Sequence, residues 1–494
     1  MKRYIPFVCL IVILTIGCVV RIWNISQSFW WDELWSTIPY ATAKHFWTTI
    51  SSLGYYFNNH LLYSILCRLS IFIFGESEIP ARLPALFFGL ACIAAMYCSG
   101  KIFFNKQIGL VAAYLLAIAP MHIDHSTEAR GYTLLAFFSL LSSLFFLLAL
   151  KRKDQTFWLF FCIASFLGFY SHAFMLMTFI TQCITITIIY MVKPFRLRTN
   201  IITKDVHAYL LATFITSLAV LIAYAPIIIP FFENLKKVKN APTYPWGFIY
   251  DLLISFFPGI SYFPATVFYA AIVTVALLSL ARTDFLICMY AIILLIVPPL
   301  LYVGSKPGFA FERYFIFSLP VSLLILGYGI VQVSNLVCQK TLKKFAFGML
   351  LLLATFFALQ PIKLVLAQPR QNYREAIKYV EEKVRHYQEG IVLVAIGYAG
   401  EHFQYYASMP IYHPKKFDEF LTIASHAQRL WCLITGWLPD MQRLYDNPEL
   451  FSEDPEQERI YRYVKSSFSL EKTFHGRIPT YIYSTSHSTD HSIK

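Results

Sequence analysis

Ser28-Phe29-Trp30-Trp31-Asp32-Glu33-Leu34-Trp35-Ser36 follows directly on an apolar run, residues 4–20, which with its flanks is long enough to cross a bilayer. Two adjacent carboxylates therefore stand at or just beyond a membrane face, among tryptophans of the kind that settle at headgroup level. Taken alone, the stretch reads as an interfacial aromatic belt with two solvated acids. The sharper reading is a carboxylate held ready for chemistry over the membrane surface. The rest of the chain decides between them.

Working outward, the composition sets the class. Of 494 residues 57% are hydrophobic and only 14% charged, and many segments run near the length of a span. This predicts a polytopic α-helical membrane protein. Nine of the ten cysteines lie in or beside apolar segments, where free cysteine behaves as a small hydrophobe, and only Cys432 lies in the polar tail. No disulfide framework is expected. Met1-Lys2-Arg3 ahead of the apolar run has the form of a signal peptide, but no small-residue cleavage site precedes the acidic motif, so an uncleaved first span is expected.

The net charge of +13 is unevenly placed. Residues 362–494 hold 16 Lys+Arg and 16 Asp+Glu, so the excess belongs to the membrane part and argues against a nucleic-acid partner. Spans are expected at about 4–22, 80–100, 108–120, 131–150, 156–170, 172–192, 207–230, 264–281, 285–303, 314–333 and 345–361. One side then carries 15 basic residues, among them Lys151-Arg152-Lys153, against Asp154, Asp205 and Asp284. The positive-inside rule makes that side cytoplasmic, with the N-terminus inside and the tail outside. Residues 61–74 are apolar but short, with Arg68 in the middle, and a crossing there would invert every later loop. They are expected to form a juxtamembrane helix, giving about 11–13 spans plus that helix. No internal repeat is evident, which weakens a transporter built on inverted halves.

With this orientation the reactive side chains collect outside. The first outer loop brings Asp32, Glu33 and Asn58-Asn59-His60; the second holds His122, His125, Glu128, Arg130 and Tyr132. A short turn gives Tyr170-Ser171-His172, a long loop runs over about 231–263, and a fifth loop carries Lys306, Glu312, Arg313 and Tyr314. A surface carboxylate can take a proton from an acceptor hydroxyl, and interfacial arginines can grip a lipid phosphate through paired hydrogen bonds. Arg130 and Arg313 each begin a span, where an unpaired charge is costly and tends to be functional. Each alone also reads as snorkelling to headgroups, Glu128 and Glu312 as local ion-pair partners, and the histidines as interfacial hydrogen-bonding groups. The histidines lack the helical spacing of a metal site, so no metal ligand is assigned and a divalent cation stays open as a cofactor.

These residues resemble the lipid-linked-sugar glycosyltransferases of the GT-C fold, in the protein mannosyltransferase and aminoarabinose transferase group (glycosyltransferase family 39-like). The resemblance runs in order through Trp31-Asp32-Glu33, Asn59-His60-Leu61-Leu62-Tyr63, Arg82-Leu83-Pro84 and Pro120-Met121-His122-Ile123. It continues through Ser126-Thr127-Glu128-Ala129-Arg130-Gly131-Tyr132, Tyr170-Ser171-His172, Arg313-Tyr314 with Pro320, and Asn372-Tyr373-Arg374-Glu375-Ala376. It implies a polyprenyl-phosphate sugar as donor, inversion at the anomeric carbon, and a bacterial inner membrane. Asp32 would be the general base and Glu33 would orient the loop or the acceptor. Arg130, Arg313 and Lys306 would hold the donor phosphate. His60, Tyr63, Glu128, Tyr132, His172 and Tyr314 are further substrate-site candidates. The sequence departs from many relatives at Leu61-Leu62, where they carry a proline pair. An aromatic rim of Trp30, Trp31 and Trp35 would help to exclude water as the attacking nucleophile.

From about residue 362 the composition becomes that of a small soluble α/β domain. Ala376, Ile377, Val380 and Val384 share a helical face, Glu401 to Tyr406 suggests another helix, and Ile391–Ile396, Leu430–Thr435 and Thr480–Tyr483 read as strands. The tail shows no nucleophile–base pairing and is assigned no catalysis. The acceptor stays open among a protein, lipid A and another envelope glycan. Two other readings compete: a ligase or polymerase using a diphosphate-linked donor, and a flippase or transporter for such lipids. A transporter should place ionisable residues near the bilayer midplane, whereas here they gather at span ends.

Overall fold

The computed structural model describes residues 4–52, 58–229, 232, 245–305, 311–385, 390–397, 400–435 and 455–485. Lys306 and residues 230, 231 and 233–244 around the start of the long loop, with Glu233, Lys236, Lys237 and Lys239, lie outside them. The chain divides into two compact units, Met1–Ile25 with Ser36–Leu366, and Ser26–Trp35 with Ala367–Lys494. The second unit is discontinuous: ten residues from near the start of the chain belong with its tail.

In the first unit, each of the eleven apolar stretches expected to span is helical. Seven helices are long and apolar enough to cross a membrane: Ile5–Ile22, Glu78–Phe103, Tyr132–Arg152, Thr203–Ile227, Phe263–Thr283, Phe285–Gly304 and Lys340–Ala367. The other four, Lys106–Ala117, Thr156–Ser171, Met175–Met191 and Leu319–Asn335, have 12 to 17 residues. Leu61–Phe74 forms a helix of 14 residues. The protein is a multi-pass membrane protein, and its outward faces fit that solvent: Phe214, Leu221, Ile222, Phe345, Leu352 and Phe356 are all more than half exposed.

Its interior is closed by small residues and buried hydroxyls, since apolar side chains gain little from leaving lipid for protein. Gly100 and Gly109 bring Glu78–Phe103 against Lys106–Ala117 so closely that a Cβ on Gly100 would stand 2.6 Å from the Gly109 Cα. Helix Tyr132–Arg152 is almost wholly buried and bonds sideways from Ser139 to Thr178 at 2.7 Å, Ser142 to Ser165 at 2.9 Å and Ser143 to Tyr290 at 2.6 Å. At one end of the unit the basic loops meet their few acids: Lys151 pairs with Asp284, and Lys153 with Asp205 at 3.0 Å.

The tail of the second unit is a five-stranded mixed sheet, order β2-β1-β3-β5-β4, where β1 is Ile391–Ile396, β2 Ile411–Tyr412, β3 Arg429–Thr435, β4 Ser469–Phe474 and β5 Thr480–Ser484. β1 runs parallel to β2 and β3, and β5 antiparallel to β3 and β4. Period-two alternation sends Val394, Ile396, Leu430, Cys432 and Ile434 to one face, where they pack with Phe417, Phe420, Ile460 and Val464 of helices Phe417–His426 and Pro455–Ser467. Helix Tyr373–Val384 buries Ala376, Ile377, Val380 and Val384, and the segment expected as a helix after Glu401 is a short 3₁₀ stretch, Gly400–Tyr405.

Candidate active site

The membrane unit gathers seven of the nominated side chains around Tyr132. Arg130 enters the turn before helix Tyr132–Arg152 and is buried to 2% exposure. Its Nη1 donates to Ser36 Oγ at 3.0 Å and its Nη2 to Asn58 Oδ1 at 2.5 Å, with the His60 Nε2 3.4 Å away. The fully buried ring of Tyr132 has His60, His125 and His172 at centroid distances of 5.3, 4.7 and 5.4 Å. The Arg130 and Arg313 guanidinium carbons lie 5.4 and 5.9 Å from its centroid. Arg313 arrives on the 3₁₀ turn Glu312–Phe315, and Tyr314 of the same turn stacks on Phe174 at 4.8 Å. Glu128 accepts from or shares a proton with His125, Oε2 to Nδ1 at 2.7 Å.

The histidine protons can be placed by chemistry. His60 Nδ1 accepts the Gly131 backbone N–H at 2.8 Å, and His172 Nδ1 accepts that of Phe174 at 3.1 Å. A backbone N–H can only donate, so each neutral ring carries its proton on Nε2. Both rings are neutral: burial, with the Arg130 guanidinium next in weight, holds His60 well below the usual histidine range, and the same two causes lower His172 to about 3. His60 Nε2–H and Arg130 Nη2–H are then neighbouring donors that cannot satisfy one another. Together with Arg313, and with the buried Glu128 carboxylate turned to His125, they make a small basin of donors, suited to an anion with several acceptor oxygens.

Other residues brace this group. Arg21, at the end of the first helix, is fully buried and donates to the carbonyls of Gly17 at 2.8 Å and Ala117 at 3.0 Å. Its Nη2 also meets His122 Nδ1 at 2.7 Å, so the first helix is tied to the loop that carries Glu128 and Arg130. Tyr63 sits apart from the group, its hydroxyl committed to the Ala81 carbonyl at 2.7 Å. Sequence reading passed over Ser36 and Arg21; an arginine closing an apolar run reads as a snorkelling residue, and nothing local announces its inward turn.

The second unit holds the acidic motif. Helix Trp31–Ser36 starts there, with Asp32 7% exposed and Glu33 fully buried. Glu33 Oε2 accepts the Trp30 N–H at 3.1 Å, which is half of a capping box and fixes the entry to the helix. Trp31 and Trp35 stack at 5.1 Å. His402 of the tail lies within the field of Asp32; burial lowers it to about 4, against the opposing pull of Glu401 and then Asp32. Among the described residues no three His, Cys, Asp or Glu side chains converge as a metal ion needs.

The fold defined by these helices and this tail is the GT-C fold. ArnT from Cupriavidus metallidurans in the apo state matches with a TM-score of 0.61 at 12% identity, over 96% of this chain and 97% of that one. The same protein bound to undecaprenyl phosphate matches at 0.57 and 13%, over 98% of each chain. The Archaeoglobus fulgidus oligosaccharyltransferase in complex with Zn and sulfate matches at 0.53 and 13%, over 91% of this chain and 70% of that one. Residues 60–229 match the model of the dolichyl-phosphate-mannose-protein mannosyltransferase family. The resemblance read from the motifs is thus borne out in the fold and in this segment, which carries His60, Arg130 and His172. No curated protein matches the chain.

Proposed function

We propose that the protein is an inverting glycosyltransferase that moves a sugar from a polyprenyl phosphate to an acceptor hydroxyl or phosphate on the extracytoplasmic face. The observation that carries this reading is the basin formed by Arg130, Arg313 and the neutral, Nε2-protonated His60. It offers charge-assisted donors to a phosphate monoester, with Arg130 and His60 buried and Arg313 half-buried.

In the reaction an acceptor oxygen attacks the anomeric carbon as the bond from that carbon to the phosphate oxygen breaks. The phosphate leaves with the electron pair, and the basin stabilises the charge that grows on it. Asp32, by the family resemblance, takes the acceptor proton. Glu33 holds the first turn of its helix. Lys306 remains a proposed third cation for the donor phosphate, and the sugar and acceptor are for experiment to name.

The test uses purified protein in lipid with undecaprenyl phosphate carrying mannose, glucose or aminoarabinose, an envelope extract as acceptor, and mass spectrometry of the lipids. Consumption of one donor by wild type and not by Asp32→Asn supports the reading. Movement of donor between leaflets without consumption would sink it in favour of a flippase. A requirement for a diphosphate-linked donor would favour the ligase.

A further inference from the structure

The motif Asn372-Tyr373-Arg374-Glu375, which by the resemblance opens the tail, carries no catalytic group of the proposed reaction. In the structure it and its neighbours hold the segment that leads into Asp32. The Phe29 N–H donates to the Tyr406 hydroxyl at 2.8 Å, and the Trp31 N–H donates to Gln371 Oε1 at 2.7 Å. Trp31 is the first residue of helix Trp31–Ser36, so its N–H has no partner within the helix and needs one from outside. Gln371 is fully buried, and its Nε2 donates to Thr435 Oγ1 at the end of β3 at 3.2 Å. A single side chain thus couples the central strand of the tail sheet to the residue beside Asp32.

The flanks repeat the pattern. The Arg374 N–H donates to Ser28 Oγ at 3.2 Å, its Nη2 to the Ser26 carbonyl at 3.0 Å, and the Arg370 guanidinium lies 4.4 Å from the Trp30 ring centroid. Phe29 meets Tyr405 edge-on at 5.7 Å. The holder is itself anchored, because the Arg477 and Ile478 N–H groups donate to the Pro369 and Arg370 carbonyls at 2.9 and 2.8 Å. Two main-chain N–H groups just before the acid are therefore fixed by side chains that arrive from about 340 and 377 residues later in the chain.

We propose that Gln371 and Tyr406 are positioning residues that set the place and angle of Asp32, so that the tail domain is part of the acid–base machinery. This rests on the reading of Asp32 as general base. A displacement of about 1 Å in such a group can cost about 100-fold in rate.

Gln371→Met keeps length and shape but loses the acceptor; Tyr406→Phe removes only the hydroxyl. Both are made in the full chain in lipid nanodiscs and assayed with the undecaprenyl-phosphate sugar that wild type consumes. In each, kcat is expected to fall about 10- to 100-fold with the donor KM within about twofold, and no further loss is expected in the Asp32→Asn background. Hydrogen exchange should quicken in peptides spanning 26–35 and stay unchanged in β1 and β3. Unchanged exchange in 26–35, or a loss of kcat that persists beside Asp32→Asn, overturns the proposal. If Asp32→Asn turns over like wild type, the base reading falls and the positioning role in catalysis falls with it. If no donor is consumed, unchanged exchange still refutes the hold on this segment.

Discussion

His60 takes the Gly131 N–H on its Nδ1 at 2.8 Å, and this one bond determines that the ring presents a proton, not a lone pair, toward Arg130. The contact needs glycine for its space. A Cβ at position 131 would stand 2.9 Å from the Ser171 carbonyl oxygen and 3.0 Å from His60 Nδ1. Gly131→Ala should therefore push the imidazole off its donor and lower turnover by about 10-fold or more, whereas a glycine-to-alanine change in open helix stabilises slightly. Steady-state kinetics beside a melting curve will separate the two effects; wild-type turnover in the alanine variant would refute the bond's importance.

Arg130 is held by Ser36 and Asn58 in a fixed fork, which a lysine cannot reproduce. Arg130→Lys should lower kcat/KM for the lipid donor by about 100-fold. The same variant should weaken binding of undecaprenyl phosphate, measured by titration into nanodiscs. Retention of both within about threefold would remove the arginine from the phosphate site.

The buried histidines predict how stability depends on pH. In the unfolded chain histidine takes up its proton near pH 6.5. In the folded chain His172 does so only near 3 and His402 near 4, with His60 also well below its ordinary value. Between these limits the unfolded state binds more protons, so stability is lost as pH falls from about 6.5 toward 4. Melting temperatures over pH 8 to 4 should be flat at the upper end and then decline, more gently in His172→Asn. A decline unaltered by that variant would show that other groups set the slope.

Tyr63→Phe removes a buried bond to the Ala81 carbonyl and leaves that acceptor to a neighbour or to none. A cost of about 1 kcal/mol in unfolding free energy is expected, read as a lower thermal midpoint. An unchanged midpoint would mean that the carbonyl finds another donor.

Helices were legible because each is a long apolar run, and the four short ones were placed as well because their ends carry charge or proline. In the tail, β1, β3 and β5 announced themselves by buried β-branched and aromatic residues. β2 did not, having two residues, and β4 did not, because Ser469 to Glu471 are exposed on an edge and carry no apolar pattern. The chemistry around Arg130 was legible as residue types in order along the chain. Its geometry was not: the tautomer of His60, the inward turn of Arg21 and the grip of Gln371 on Trp31 each depend on a partner at least 71 positions away. The earlier expectation of a tail starting at 362 also reflected composition, which changes before helix Lys340–Ala367 ends.

Because residues 26–35 belong with 367–494, the order of synthesis becomes part of the design. A ribosome delivers the acidic segment, residues 26–35, before residues 36–366 and only then its holder from 367 onward. During translation of the intervening helices the segment has no sheet to rest on, so a nascent or C-terminally clipped chain carries the acid without its mount. The same arithmetic bears on the isolated tail: cut at residue 367 and expressed by itself, it would lack a ten-residue piece of its own unit, which a synthetic peptide of that sequence could supply in trans.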